Sequence, residues 1–266
     1  MGSVLLAAIL LKLGTYGFIR IALPIVPEGA EVWAPWIGLL AVIGIIYGAL
    51  CCLAQTDMKR LIAFSSVAHM GFVMLGIATL TDFGVNAAVF GMVAHGLITG
   101  MLFFLAGSMQ ERYGTREMSR LGGLLVSAPR MGWILGFCAM ASLGLPGLAG
   151  FWGEFPAVLS AFEPSELANG LVGGTESTLW TFRTFMVIAA IGTVLAAGYL
   201  LWMYQRVAMG TPKPEFEDAH IHDVHPPEWV AWVPLLLGIA VFGIFPDLIF
   251  SVTNDAATQV TRVFSG

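Results

Sequence analysis

The chain has 266 residues, of which 58% are hydrophobic and only 11% charged, with a mean hydropathy of +0.84. So few charges cannot hydrate the surface of a domain this size, which excludes an ordinary water-soluble fold and predicts an outer surface facing lipid. A formal net charge of −5, with no basic run longer than a pair, excludes a nucleic-acid footprint.

The apolar runs predict an all-α, polytopic transmembrane bundle of about seven helices, over residues 3–26, 33–54, 60–80, 85–107, 130–162, 179–208 and 229–251. Most are about 20 to 25 residues long, matching a hydrocarbon core of about 30 Å at 1.5 Å per residue. The fifth is too long for one straight crossing, because 33 helical residues would extend about 50 Å. Within it lies Gly144-Leu145-Pro146-Gly147-Leu148-Ala149-Gly150. Proline removes a backbone donor and glycine relaxes the helix, so this span is expected to break in mid-membrane. The alternative is a tilted helix with a proline kink. A small-residue face, Gly38, Ala41, Gly44 and Gly48, would serve either internal packing or a neighbouring subunit. The start of the chain has neither a basic segment nor a small-residue cleavage site of the kind that marks a cleaved signal peptide.

Loop charges predict the orientation. Lys59 and Arg60 follow the second run, Arg112, Arg116, Arg120 and Arg130 follow the fourth, and Arg206 and Lys213 follow the sixth. The alternate loops carry Glu28, Glu31, Asp82, Glu163, Glu166 and Glu176. By the positive-inside rule the basic loops are cytoplasmic, the protein sits in the cell membrane, and the C-terminus is on the outer side.

Four ionisable residues fall inside the apolar runs: Lys12 in the first, His69 in the third, His95 in the fourth and Glu154 after the break in the fifth. A charge at the bilayer centre costs about 2.5–3.5 kcal/mol on insertion scales, so such residues face protein or trapped water and have partners. Each has a plainer reading. Lys12 would snorkel, either histidine would bond a neighbouring backbone, and Glu154 would form a static ion pair. Together, on four helices at comparable depth, they have the composition of a proton relay, running from Lys12 through His69 and His95 to Glu154. Ser65, Ser66, Thr99 and Tyr16 would hold water between them, or bond helices to one another.

His220-Ile221-His222-Asp223-Val224-His225 looks metal-like, but it is acidic, flanked by prolines and without a helix to fix its spacing, so a solvated loop is expected and no metal. Cys51, Cys52 and Cys138 lie in apolar runs without CxxC spacing and read as small core-filling residues. No GxGxxG, P-loop or paired haem histidines occurs, so no cofactor is expected in this chain.

Three stretches carry a family resemblance: Leu10-Leu11-Lys12-Leu13-Gly14-Thr15-Tyr16-Gly17, then Ala54-Gln55-Thr56-Asp57-Met58-Lys59-Arg60-Leu61-Ile62-Ala63-Phe64-Ser65-Ser66 with Ala68-His69-Met70-Gly71-Phe72, and Leu143-Gly144-Leu145-Pro146-Gly147 through Gly150-Phe151-Trp152-Gly153-Glu154-Phe155. They resemble the antiporter-like subunit M family of NADH–quinone oxidoreductase, respiratory complex I. The resemblance implies a proton-translocating subunit of the membrane arm, driven by quinone reduction in other subunits and holding no redox centre itself. It implies Lys12 as the central lysine, Glu154 as the terminal carboxylate and His69 and His95 as the histidines between them. It further implies one membrane domain over 1–266. Residues 1–26 would be the last helix of a first repeat, 33–208 a five-helix repeat inverted with respect to it, and 229–251 an accessory helix. Family members are about twice this length. The expected partners are therefore other membrane-arm subunits of complex I, lipid, and a chain supplying the N-terminal half. The alternatives are a subunit of a multisubunit cation/proton antiporter, a hydrogenase membrane arm, or a structural subunit with an incomplete relay.

Overall fold

The structure, a computed structural model, describes residues 2–170, 175–216 and 221–264. Among them every regular element is a helix, apart from one isolated bridge pairing Asp57 with Glu117. Hydrocarbon offers no hydrogen bonds, and a helix satisfies its own backbone, so long apolar runs have no other economical form. Six helices are long and apolar enough to cross a bilayer: α1 (Leu6–Ile25), α2 (Pro27–Leu53), α3 (Met58–Ala78), α4 (Asp82–Tyr113), α7 (Thr175–Ala208) and α8 (Pro226–Ile244). Between α4 and α7 lie two half-length helices, α5 (Pro129–Ser142) and α6 (Ala149–Ser160). The expected all-α membrane bundle with one broken span is therefore what forms.

Local chemistry sets the helix ends. Val26 is non-helical and Pro27 opens α2, where its missing N–H is no loss. The Asp57 side chain accepts from the amides of Lys59 and Arg60 to start α3, and Thr81 Oγ1 accepts from Gly84 N to start α4. Gly114, at φ 65°, ends α4.

The centre of the bundle is α3 and α4. In both, 72% of the most apolar 18-residue window is buried, against 22% in α1 and 17% in α8. The outer helices instead expose Leu40, Trp133, Val194 and Val230, side chains that lipid would cover. The small-residue face of α2 packs internally. A Cβ on Gly48 would come 2.8 Å from the Ala68 backbone nitrogen, and one on Gly38 would meet the Phe185 ring at 2.9 Å.

The fifth span breaks rather than kinks. Gly144 and Gly147 take φ of 70° and 92°, conformations open to glycine at little cost, and Leu148 is extended before α6 begins. The break is packed from outside by α8. A Cβ on Gly243 would sit 2.3 Å from the Gly147 carbonyl oxygen, and Trp152 Nε1 donates to the Gly243 carbonyl at 2.8 Å.

One expectation needs correction. The seventh run does not continue to residue 251: α8 ends at Ile244, and α9 (Asp247–Thr261) starts after Phe245 and Pro246. Proline disfavours helical geometry at the residue before it, and Phe245 has φ −120° and ψ 67°. α9 then packs on the start of α4, where Asn254 and Thr253 both bond Asn86 and the Phe250 ring lies 4.8 Å from that of Phe90. The described part of the histidine-rich segment is a loop with His222 and His225 exposed, and it is tied to the helices around it. Asp223 accepts from the amides of Arg130 and Met131, capping α5, while His225 caps α8 and Val224 is buried. Among the described residues no group of three or more His, Cys, Asp and Glu is placed to hold a metal; His220 lies outside them.

The basic loops share one end of the bundle. Arg116 pairs with Asp57 at 3.3 Å, Arg120 with Glu215, and Arg112 with Glu228 through two bonds of 2.9 and 2.6 Å. At the opposite end Ser165 bonds both Thr79 and Phe264, and Arg183 lies over the Phe162 ring.

Two stability tests follow from the packing. A Cβ on Gly153 would stand 2.4 Å from Gly91 Cα, so Gly153→Ala must push α6 off α4 and should destabilise by about 1–3 kcal/mol. Gly107→Ala, with open space around it, should be neutral, as thermal melts in detergent would read. Arg112→Ala strands a mostly buried carboxylate and should cost about 2 kcal/mol, between the exposed-pair and buried-pair values, whereas Arg116→Ala should leave the melt unchanged.

Candidate proton-relay site

Each of the four intramembrane ionisable residues comes from a different helix. Lys12 is on α1, which closes on α4 through small residues: a Cβ on Gly96 would lie 3.1 Å from the Ala8 carbonyl, and one on Gly100 3.5 Å from Ala8 Cβ. The backbone of α1 is π-helical over Leu6–Leu10, and Lys12 Nζ donates back five residues to the Ala7 carbonyl. The same Nζ lies 2.6 Å from His95 Nδ1. An ammonium only donates, so opposite a charged Lys12 the ring must accept at Nδ1 and carry its proton on Nε2, which faces Thr99 Oγ1 at 3.1 Å.

His95 and His69 have ring centroids 5.6 Å apart and tilted by 56°. His69 Nδ1 lies 2.6 Å from Glu154 Oε1. His69 Nε2 faces two hydroxyls, Ser142 Oγ at 3.1 Å and Tyr199 Oη at 3.4 Å. Both histidines are buried, as are Thr99, Ser142 and Tyr199. A cavity of about 20 Å³ lies among His69, His95, Ser142 and Glu154, enough for one water. Glu154 Oε2 is buried there without a hydrogen-bond partner among the described residues.

All four expected residues are thus brought together, but their order differs from expectation. Lys12 meets His95 and His69 meets Glu154, so the sequence of contacts is Lys12, His95, His69, Glu154. The reason is helix placement: α1 packs on α4, which carries His95, while α3 and α6 hold His69 and Glu154 side by side. Among the expected water-holding residues, Thr99 bonds His95. Ser65 and Ser66 bond the Ile62 carbonyl on their own helix, and Tyr16 points outward, about half exposed. Ser142 and Tyr199 were not foreseen. Their only signal is a hydroxyl in an apolar run, a pattern shared with many helix-bonding residues.

The family model described as NADH:quinone oxidoreductase/Mrp antiporter, TM, matches residues 1–181. The chain belongs to this family. It is 40% identical, over 98% of its length, to NADH-quinone oxidoreductase subunit M of Rhodobacter capsulatus, of which it covers 48%. Among solved structures it is similar to a chain of respiratory complex I from Thermus thermophilus, with 29% identity and a TM-score of 0.84, covering 97% of this chain and 50% of that one. A chain of the Mrp complex from Dietzia sp. has the same fold, at 18% identity and a TM-score of 0.76, over 94% of this chain and 51% of that one. The chain spans about half the length of the curated relatives it matches. It is a helical membrane protein of the antiporter-like family, as its motifs implied.

Proposed function

We propose that this chain conducts protons through the membrane arm of NADH–quinone oxidoreductase along Lys12, His95, His69 and Glu154, driven by quinone reduction in other subunits. The observation that supports this best is the pair of 2.6 Å contacts, Lys12 with His95 and His69 with Glu154, beside a water-sized cavity that the two rings line. Lys12 hands a proton from Nζ to His95 Nδ1. The doubly protonated ring releases its other proton from Nε2 through the Thr99 hydroxyl that faces it, which takes that proton as it gives up its own toward His69. His69 takes it at Nε2 and gives its Nδ1 proton to Glu154 Oε1. Every step moves one proton between groups that alternate between charged and neutral when a neighbour's charge changes.

In this reading residues 33–208 act as a five-helix repeat, α1 closes a preceding repeat, and α8 is accessory. The partners are other membrane-arm subunits and surrounding lipid. The end carrying Lys59, Arg60, Arg116 and Arg120 is cytoplasmic and the C-terminus is outside.

Proton pumping by the assembled complex in membrane vesicles tests the relay. Lys12→Ala and Glu154→Gln should each cut pumping about tenfold or more while leaving assembly intact. Lys12→Arg should fail as well, because a guanidinium does not release its proton. His69 and His95 variants should lose less, since water can bridge the gap. Assembled complex that pumps normally with both Lys12→Ala and Glu154→Gln would leave only a static role. Orientation is read separately. Ser119→Cys should label only from the cytoplasmic side and Glu163→Cys only from the other; labelling of both from one side would refute the assignment.

A further inference from the structure

We propose that the groove between α1 and α2 binds one anionic phospholipid of the cytoplasmic leaflet, with its phosphate on Lys59 and Arg60 and an acyl chain laid along α3. The site uses the orientation proposed above but not the relay, and the cysteine labelling reads that orientation separately. α1 packs on α4 while α2 packs on α3, so the two helices part below the Val26–Pro27 turn that joins them. What opens between them is a groove of about 740 Å³, walled by Leu6 and Leu11 of α1 and by Leu40 and Gly44 of α2. Its floor is α3, from Ala63 to Met74.

The dimensions and polarity fit a lipid chain. From Ala63 to Met74 the helix rises about 16 Å, against about 15 Å for one leaflet of a 30 Å hydrocarbon core. Ser66 is the one hydroxyl in the lining, and it donates to the Ile62 carbonyl of its own helix, so the walls ask for no water. Lys12 adjoins Leu11 but turns away from the groove, to His95.

The head of the groove is charged. Lys59, Arg60 and Arg116 line it. Asp57, the carboxylate beside them, is occupied by Arg116 at 3.3 Å and by the amides of Lys59 and Arg60, while Glu117 accepts from Ser119. The side chains of Lys59 and Arg60 have no carboxylate partner among the described residues. Two uncompensated cations therefore stand at the top of an apolar slot one leaflet deep. Basic pockets between transmembrane helices on the cytoplasmic side suit anionic headgroups, and anionic lipid is concentrated in that leaflet. A zwitterionic headgroup brings a cation of its own to face Lys59 and Arg60, and an apolar helix brings no negative charge at all. A lipid seated here would tie α1 to α2 and α3, and so stabilise the fold by mass action.

The test uses the full chain, purified in detergent and stripped of lipid. It is titrated with dioleoylphosphatidylglycerol or dioleoylphosphatidylcholine and read by native mass spectrometry and thermal melts. The anionic lipid should occupy one tight site and raise the melting temperature, with the zwitterionic lipid bound about tenfold more weakly or worse. The double variant Lys59→Gln, Arg60→Gln should lose that preference. Ala63→Leu, which fills the slot and leaves the cations in place, should weaken both lipids; should it not fold, Gly44→Leu fills the slot from the opposite wall. Arg206→Gln, a cation at the same end but outside the groove, should change neither. Glycerol phosphate, the soluble headgroup, should not compete. Equal binding of the two lipids, a preference that survives in the double variant, unchanged binding when the slot is filled, or full competition by glycerol phosphate would each overturn the proposal. In the assembled complex, Ala63→benzoylphenylalanine should photo-crosslink lipid, and capture of a polypeptide there would overturn lipid as the occupant.

Discussion

Hydrocarbon gives a polar group nothing to bond, and the break between Ser142 and Ala149 has to live with that constraint. Opening a helix in mid-membrane frees backbone donors and acceptors that are costly against lipid, so its flanks pack on protein. They do so against α4 on one side and, at the seam of Trp152 with Gly243, against α8 on the other, while Leu145, Pro146 and Gly147 at the tip are exposed. The same packing puts the two ends of the break at one place. Ser142, ending α5, and Glu154, one and a half turns into α6, contact opposite nitrogens of the single ring of His69. An unbroken helix would carry these residues, twelve positions apart, about 18 Å along its axis, too far to share a ring.

The buried charges are handled in pairs. Lys12 is matched to His95 and Glu154 to His69, and each histidine turns its second nitrogen to hydroxyl groups rather than to hydrocarbon. Such an arrangement gives every titratable group a neighbour whose charge state sets its own. That is the property a relay needs, and a merely structural polar core does not require it on four separate helices. The small cavity sits between the pairs, where the two rings approach without a direct hydrogen bond.

Charges outside the spans do other work. Arg112, Arg116 and Arg120 each bind a carboxylate on a different element, so the basic end of the bundle is also the end where its loops are cross-tied. Glu215, about half exposed, is held below the usual carboxylate range by its hydrogen bond to Arg120. Its contribution is present above the unfolded value and is lost as the pH falls through the lowered one, a small effect for an exposed pair in water. The Arg112–Glu228 pair, mostly buried and supported by Ser108, is the stronger tie between α4 and α8.

Much of this was legible in the residues, because membrane insertion filters sequence harshly. The length of each apolar run reports a crossing, the Gly144–Gly150 stretch reports a break, and the cost of burying charge singles out Lys12, His69, His95 and Glu154 without any knowledge of their neighbours. The end of α8 at Phe245 was within reach of the same reasoning, through Pro246, but apolar residues continue past it and hide the boundary. What hydropathy could not supply is which helix lies beside which. The order of the two histidines depends on α1 lying against α4, and that depends on close approach at Gly96 and Gly100, whose spacing permits a close neighbour without saying which helix it is. The capping of α5 by Asp223 joins residues more than ninety positions apart. Ser142 and Tyr199 resemble any hydroxyl in a transmembrane helix until the fold turns both toward one nitrogen. The sequence determined which groups must be protected from lipid; only the tertiary structure decided which of them protect one another, because partner choice is made by distances between helices and not by the composition of any one of them.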